Sequence, residues 1–255
     1  MPECIVQDCA IHYHLAGSGL EDNIPVLFIH GSGGSLHVWA NQLQLGIPGF
    51  CPIALDLPGH ARSQGKGEEH IQDYVDWIIG FIHNMGFHQC VLAGHSMGGA
   101  IAQLAALDRP ELVRSIILVG TGARLRVAEQ VLAKAREGAS FAEYAYAPDT
   151  AKHVQQEAEK EFSLTPAEVR YHDFLACNRF DMLDQVQEIT STACIICGQK
   201  DQLTPVKYSQ FLHRHIPDSR LEIISQAGHM VMWEQPEMFN NVLQDFLLSL
   251  YEVLN

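Results

Sequence analysis

The chain has 255 residues, 47% of them hydrophobic and 18% charged, which excludes a disordered chain and allows a core that needs neither disulfides nor metal to fold. Sixteen basic against thirty acidic residues leave a net charge of −14, which argues against nucleic acid as the main partner and against an anionic membrane surface. No apolar run reaches the roughly 18 residues of a membrane span, the acidic start Met1–Asp8 lacks a basic signal region, and seven scattered cysteines read as reduced thiols in a cytoplasm.

In chain order, Cys4–Val6 and Ala10–Leu15 are expected as a strand pair. Pro25–Ile29 is a continuous apolar run, the mark of a strand buried on both faces. A helical stretch is expected near Leu36–Leu45, a strand at Cys51–Leu55, and a helix near Ile71–Met85 with Ile71, Val75, Ile78, Ile79 and Ile82 on one face. Strand Cys90–Ala93, helix Ala100–Leu107 and strand Ser115–Val119 follow. The alternation then stops. From Ala123 to about Ile189 only helices are expected, at Arg124–Arg136, Thr150–Phe162 and Pro166–Cys177, and this stretch holds eight of the sixteen basic residues. The rhythm resumes with strand Ala193–Cys197, helix Val206–His215, strand Leu221–Ile224 and helix Phe239–Leu250. Strands alternating with helices predict a parallel sheet with helices on both faces. An all-helical insertion predicts a cap over the C-terminal strand ends, where open sheets of this type bind ligands.

Gly94-His95-Ser96-Met97-Gly98 lies between a strand and a helix. Such an elbow forces its serine into a strained conformation, and the flanking glycines relieve the crowding. The helix start offers unpaired N–H groups to a developing oxyanion. Ser96 is therefore the candidate nucleophile.

With this elbow go His30-Gly31-Ser32-Gly33-Gly34-Ser35, Asp56-Leu57-Pro58-Gly59-His60-Ala61-Arg62-Ser63, Gly198 through Pro205, and Gly228-His229. Together they resemble the α/β-hydrolase superfamily over nearly the whole chain, and most of all small bacterial esterases, enol-lactonases and C–C-bond hydrolases with a helical cap. The superfamily order is nucleophile, acid, histidine. His229, between the last strand and the last helix, is the candidate base. Asp201, after strand Ala193–Cys197 and before Pro205, is the candidate acid. The alternative acid position used by some relatives reads Gly120-Thr121-Gly122 here and carries no carboxylate. The resemblance implies an oxyanion hole from the backbone N–H groups of Met97 and of Ser32, with Gly33 as the fallback for Ser32.

The Gly31–Gly34 run lacks the spacing of a dinucleotide fingerprint, and no cofactor or metal is implied. Asp56 and His60 are expected to organise a turn. Cys194 and Cys197, three apart on a strand, should face opposite sides. His12 and His14 share a strand face but have no third ligand nearby in sequence, so a zinc site is disfavoured. Arg124, Arg126 and Arg179 are read as solvated or ion-paired, with a substrate carboxylate as the alternative.

The expected architecture is a mostly parallel eight-stranded sheet, with 1–122 and 190–255 as the α/β-hydrolase core and 123–189 as the cap. The expected function is a carboxylic-ester hydrolase acting through an acyl-enzyme on a small-molecule ester or related acyl substrate. A C–C-bond hydrolase or enol-lactonase with the same triad is the first alternative. It would need an arginine and aromatics facing a dienol acid, for which Asn178-Arg179-Phe180 is the candidate. A hydrolase-like ligand receptor is the second. Haloalkane dehalogenase and epoxide hydrolase chemistry is disfavoured, since those relatives carry Asp where this chain has Ser96.

Overall fold

The computed structural model describes residues 2–17, 23–139 and 142–252. Eight strands are hydrogen-bonded in the order β1-β2-β4-β3-β5-β6-β7-β8. They are β1 (Glu3–Val6), β2 (Cys9–Leu15), β3 (Ile24–Ile29), β4 (Phe50–Leu55), β5 (Cys90–His95), β6 (Val113–Val119), β7 (Thr192–Gly198) and β8 (Ser219–Ile224). The β1/β2 and β2/β4 pairs are antiparallel and the other five are parallel.

The central strands are mainly apolar because both faces are covered. Side chains alternate between two cores with period two. Leu27, Ile29, Leu92, Ile116, Leu118 and Ile195 enter one core, with helices α1 (Ile71–Asn84), α2 (Met97–Asp108) and α7 (Val206–His215). Val26, Phe28, Val91, Ala93, Ile117 and Ile196 enter the other, with α8 (Val231–Glu234) and α9 (Pro236–Glu252). Cys194 belongs to this second core while its neighbours Ala193 and Ile195 belong to the first. Parity along the strand therefore points Cys197 away from Cys194. All seven cysteines are free thiols. Among the described residues no helix is long and apolar enough to cross a membrane.

Between β6 and β7 the chain forms α3 (Glu129–Arg136), α4 (Ala142–Ala145), α5 (Lys152–Ser163) and α6 (Ala167–Arg179). Two expectations need correction. The helix expected over Leu36–Leu45 is a single 3-10 turn, Leu36–Trp39. Its Ser35 cap and the buried Trp39 fix one turn, and the chain then runs on in turns to β4. The helix expected from Arg124 begins only at Glu129. Arg124 is held extended in a bridge to Asp181, and Val127 N–H donates to Asn178 Oδ1 at 3.1 Å. The short α4 and α8 carry too few residues for a periodic signal.

Candidate active site

The chain reverses direction across the sheet between β3 and β5, the switch point where open α/β sheets form crevices. The register pairs Ile29 with Gly94, so the loop after β3 and the turn after β5 emerge side by side. A Cβ on Gly31 would lie 3.1 Å from the Ser96 Cβ.

Ser96 has φ 53° and ψ −113°, a conformation that costs a residue with a Cβ on the order of 1–3 kcal/mol. The surroundings enforce it. Ser96 N–H donates to Val119 O at 2.8 Å, and Thr121 Oγ1 donates to Ser96 O at 2.8 Å. The two flanking glycines are required by close approach: a Cβ on Gly94 would sit 2.0 Å from Gly98 O, and one on Gly98 would sit 2.3 Å from Ile29 O. Met97 then opens α2, whose small residues Gly98, Gly99, Ala100 and Ala102 are buried against the sheet.

The β7/β8 register, which pairs Gly198 with Ile224, brings the Asp201 and His229 loops together in the same way. His229 Nδ1 lies 2.8 Å from Asp201 Oδ2, and both residues are buried. The carboxylate accepts, so Nδ1 carries the proton. Asp201 also accepts N–H groups of Leu203 and Thr204 at Oδ1, and the Thr204 hydroxyl at Oδ2. Burial pushes its carboxyl up, but the His229 charge and these hydrogen bonds outweigh burial and hold it below the usual carboxylate value. Gly120, the alternative acid position, stands against the His229 ring; a Cβ there would lie 3.3 Å from Nδ1.

Ser96, His229, Ser32 and Gly31 line one cavity of about 260 Å³, at the small end for ligand sites. Its walls are mainly apolar and aromatic, with Tyr146, Phe162, Phe174 and Trp233 prominent. Phe162, Phe174, Tyr146 and Cys177 come from the segment between β6 and β7. Of the three arginines singled out, only Arg126 lines the cavity. Arg124 pairs with Asp181, and Arg179 with Glu69 on the outer surface.

Neither Ser32 nor Met97 N–H has a backbone acceptor among the described residues. The Gly33 N–H donates to Asp173 Oδ2 at 2.7 Å and is thereby spoken for. His12 Nδ1 is engaged by Asp56 at 2.8 Å, and Asp56 also accepts Leu36 N–H, so this pair ties β2 to the turns after β3 and β4.

Several residues at the site carry no sequence signal of their own. Asp173 lies mid-helix in α6. Glu234 on α8 accepts Gly228 N–H at Oε1, and at Oε2 the Ala147 N–H and the Thr150 hydroxyl. Thr204, three residues after Asp201, follows the familiar Asp-x-x-Thr turn pattern and was detectable.

The family model described as the alpha/beta hydrolase family matches residues 26–242. The pimeloyl-acyl-carrier-protein methyl ester esterase of Neisseria meningitidis serogroup C is 28% identical over 244 residues, covering 87% of this chain and 93% of that protein. The 3-oxoadipate enol-lactonase 2 of Acinetobacter baylyi is 28% identical over 252 residues, covering 93% of each. The solved structure of a thermophilic esterase superposes with a TM-score of 0.84 at 31% identity, over 97% of each chain.

Proposed function

The chain belongs to the alpha/beta hydrolase family, and from that premise we propose that it is a serine hydrolase cleaving small carboxylic esters through an acyl-enzyme. The observation that carries this reading is a conjunction: Ser96 on its strained elbow and His229 bonded to Asp201 face one apolar cavity.

In this mechanism Ser96 Oγ attacks the acyl carbon while His229 takes its proton through Nε2. Asp201 keeps the proton of neutral His229 on Nδ1, which leaves the lone pair where the base needs it, and stabilises the imidazolium that forms. The oxyanion is met by the N–H groups of Ser32 and Met97, the second aided by the N-terminus of α2. Gly33 does not serve, because Asp173 takes its N–H. His229 then protonates the leaving alcohol, and water attacks the acyl-enzyme with His229 as base. The segment 123–189 acts as the cap: its aromatic side chains form the roof against which an apolar acyl group packs.

Relatives named as an esterase and an enol-lactonase support chemistry at an ester or lactone carbonyl. The C–C alternative loses the arginine first assigned to it: Arg179 spends its guanidinium on Glu69, so the Asn178–Phe180 triplet presents none to a dienol acid, and Arg126 in the cavity wall is the arginine such chemistry would use.

A panel of p-nitrophenyl esters, lactones and dienol acids, assayed with wild type and Ser96→Ala, tests the reading. Esters should turn over, a fluorophosphonate should add its mass to the Ser96 peptide, and Ser96→Ala should abolish both. Labelling that survives Ser96→Ala would refute it.

A further inference from the structure

Asp173 is fully buried, yet it sits in the middle of a helix, on the segment between β6 and β7. Two of its partners are fixed donors and the third is a histidine. Gly33 N–H and His60 Nε2 meet Oδ2 at 2.7 and 2.8 Å, and the Tyr74 hydroxyl meets Oδ1. Tyr74 Oη already accepts the Glu68 N–H, so its own proton goes to Asp173. Two fixed donors beside a histidine suit this carboxyl to the accepting role of an ionised carboxylate.

His60 completes the argument. Its Nδ1 faces Pro58 O at 3.0 Å and its Nε2 faces Asp173. Pro58 O only accepts, so Nδ1 carries a proton; opposite an ionised Asp173 the Nε2 carries the second, and the pair is an imidazolium on a carboxylate. Burial pulls its pKa down, but the Asp173 charge and hydrogen bond more than offset that and raise it above the usual value. Neither side chain of the pair is exposed to solvent.

The geometry matters because of where Gly33 lies. The Ser32 N–H and the Gly33 N–H belong to the two peptide planes that flank the Ser32 Cα. The first plane is fixed from the core: Gly31 O accepts His30 Nδ1–H at 2.8 Å and Gly34 N–H at 3.0 Å, and a planar trans peptide then aims the Ser32 N–H the opposite way. The second plane is fixed by Asp173. One helical turn further on, Cys177 Sγ lies 3.4 Å from Ser32 Oγ. Thr165 reaches Gly34 O at 3.4 Å, and Glu161 accepts from Ser35 Oγ at 3.0 Å. Each residue from 32 to 35 is thus touched by the helical segment.

We propose that Asp173 is a positioning residue for oxyanion stabilisation: by holding the Gly33 amide it fixes the peptide plane on the far side of the Ser32 Cα, so that the loop carrying the Ser32 N–H cannot swing away, while the paired His60 offsets its charge toward the oxyanion. This rests on the serine-hydrolase reading above. The helical segment is then part of the catalytic geometry as well as a roof.

The test compares Asp173→Ala with Asp173→Asn, using p-nitrophenyl butyrate and a trifluoromethyl ketone that forms a tetrahedral adduct. Ala leaves Gly33 N–H and His60 without their acceptor. An error of about 1 Å in such a group costs on the order of 10²-fold, so kcat should fall by about that factor with KM within about threefold. Trifluoromethyl ketone affinity should fall in parallel with kcat/KM. Asn keeps an oxygen for Gly33 and should recover at least about tenfold of the loss. Equal losses in both variants, a folded Ala variant with wild-type kcat, or a defect in KM alone would each overturn the proposal. If Asp173→Ala does not fold, hydrogen exchange in the wild type decides: a strongly protected Gly33 amide supports the proposal, and one that exchanges like an open loop overturns it. An inactive wild type, or an active Ser96→Ala, would instead refute the hydrolase reading, and this inference would fall with it.

Discussion

Asp201 holds His229 through Oδ2 at 2.8 Å while its other oxygen is fixed by two backbone donors, Leu203 N–H at 2.9 Å and Thr204 N–H at 2.8 Å. This division of labour dictates what an amide would do in its place. The backbone donors would keep the Asn oxygen on their side and turn the NH2 toward His229 Nδ1. The imidazole would then have to carry its proton on Nε2, the nitrogen needed as base. Asp201→Asn should therefore fold normally and lose on the order of 10⁴ in kcat, as in the serine-protease triad. Asp56→Asn, away from this pair, is the control for general electrostatic loss. Stopped assays with circular dichroism on both variants check it. An Asp201→Asn enzyme that keeps more than about a tenth of wild-type kcat, far short of the expected loss, would show that the acid lies elsewhere.

Phe174 lines the cavity, whereas its neighbour Leu175 does not. Phe174→Ala should move the ester preference toward longer acyl chains, because it enlarges an apolar wall without touching the triad. Leu175→Ala should leave the profile as it is. Ratios of kcat/KM across acetate to octanoate esters read the effect directly, and identical profiles for the two variants would remove Phe174 from the acyl site.

Glu234 ties the segment at Ala147 and Thr150 to the loop that carries His229. The loop is held further by Ala145 O, which accepts the N–H groups of His229 and Met230 at 2.9 and 3.1 Å. Glu234→Gln sets an NH2 against at least one of the donors, so it should destabilise by about 1–3 kcal/mol, the usual range for an unsatisfied polar group. It should also lower kcat more than it raises KM. Thermal melts and steady-state kinetics on the one variant measure both, and an unchanged Tm would show that the tie contributes nothing.

His30 and His95 are fully enclosed, and burial, with the nearby histidine charges of His60 and His229, lowers each to about 3. Unfolded, both titrate near about 6.5. Below that pH the unfolded chain binds protons that the native one refuses, so their contribution is complete above about 6.5 and is lost as pH falls toward 3. His60, raised in the fold, acts in the opposite sense: its contribution is present below about 6.5 and is lost as pH rises through its native value. His95→Gln preserves a donor for the His229 carbonyl but does not titrate. Between pH 6 and 4 its stability should fall less steeply than that of wild type, by up to about 1.4 kcal/mol per pH unit. Denaturant melts across that range provide the comparison, and equal slopes would refute it.

The sequence by itself determined the frame of this protein. The central strands are legible to within a few residues because both of their faces are buried, and two-sided burial leaves an unbroken apolar run such as Val26–Ile29 or Ile116–Val119. Ser96 could be singled out because the elbow leaves a local mark, the glycines on either side of it: Gly94 is demanded by Gly98 four residues on, although Gly98 itself is demanded by Ile29 of the neighbouring strand. Asp201 and His229 stand out for a similar reason: each follows a recognisable strand and precedes a recognisable helix. What only the tertiary structure decided are the contacts that depend on distant segments meeting. Asp173 meets Gly33 across 140 residues and His60 across 113, and on its own helix it looks like any polar residue. The start of α3 was misplaced because Arg124 and Val127 are held by Asp181 and Asn178, partners more than 50 residues away. Local pattern reports what a residue does to its own backbone. Burial of a charge beside its counter-charge is a property of the assembled fold, and there the chain order carries no mark of it.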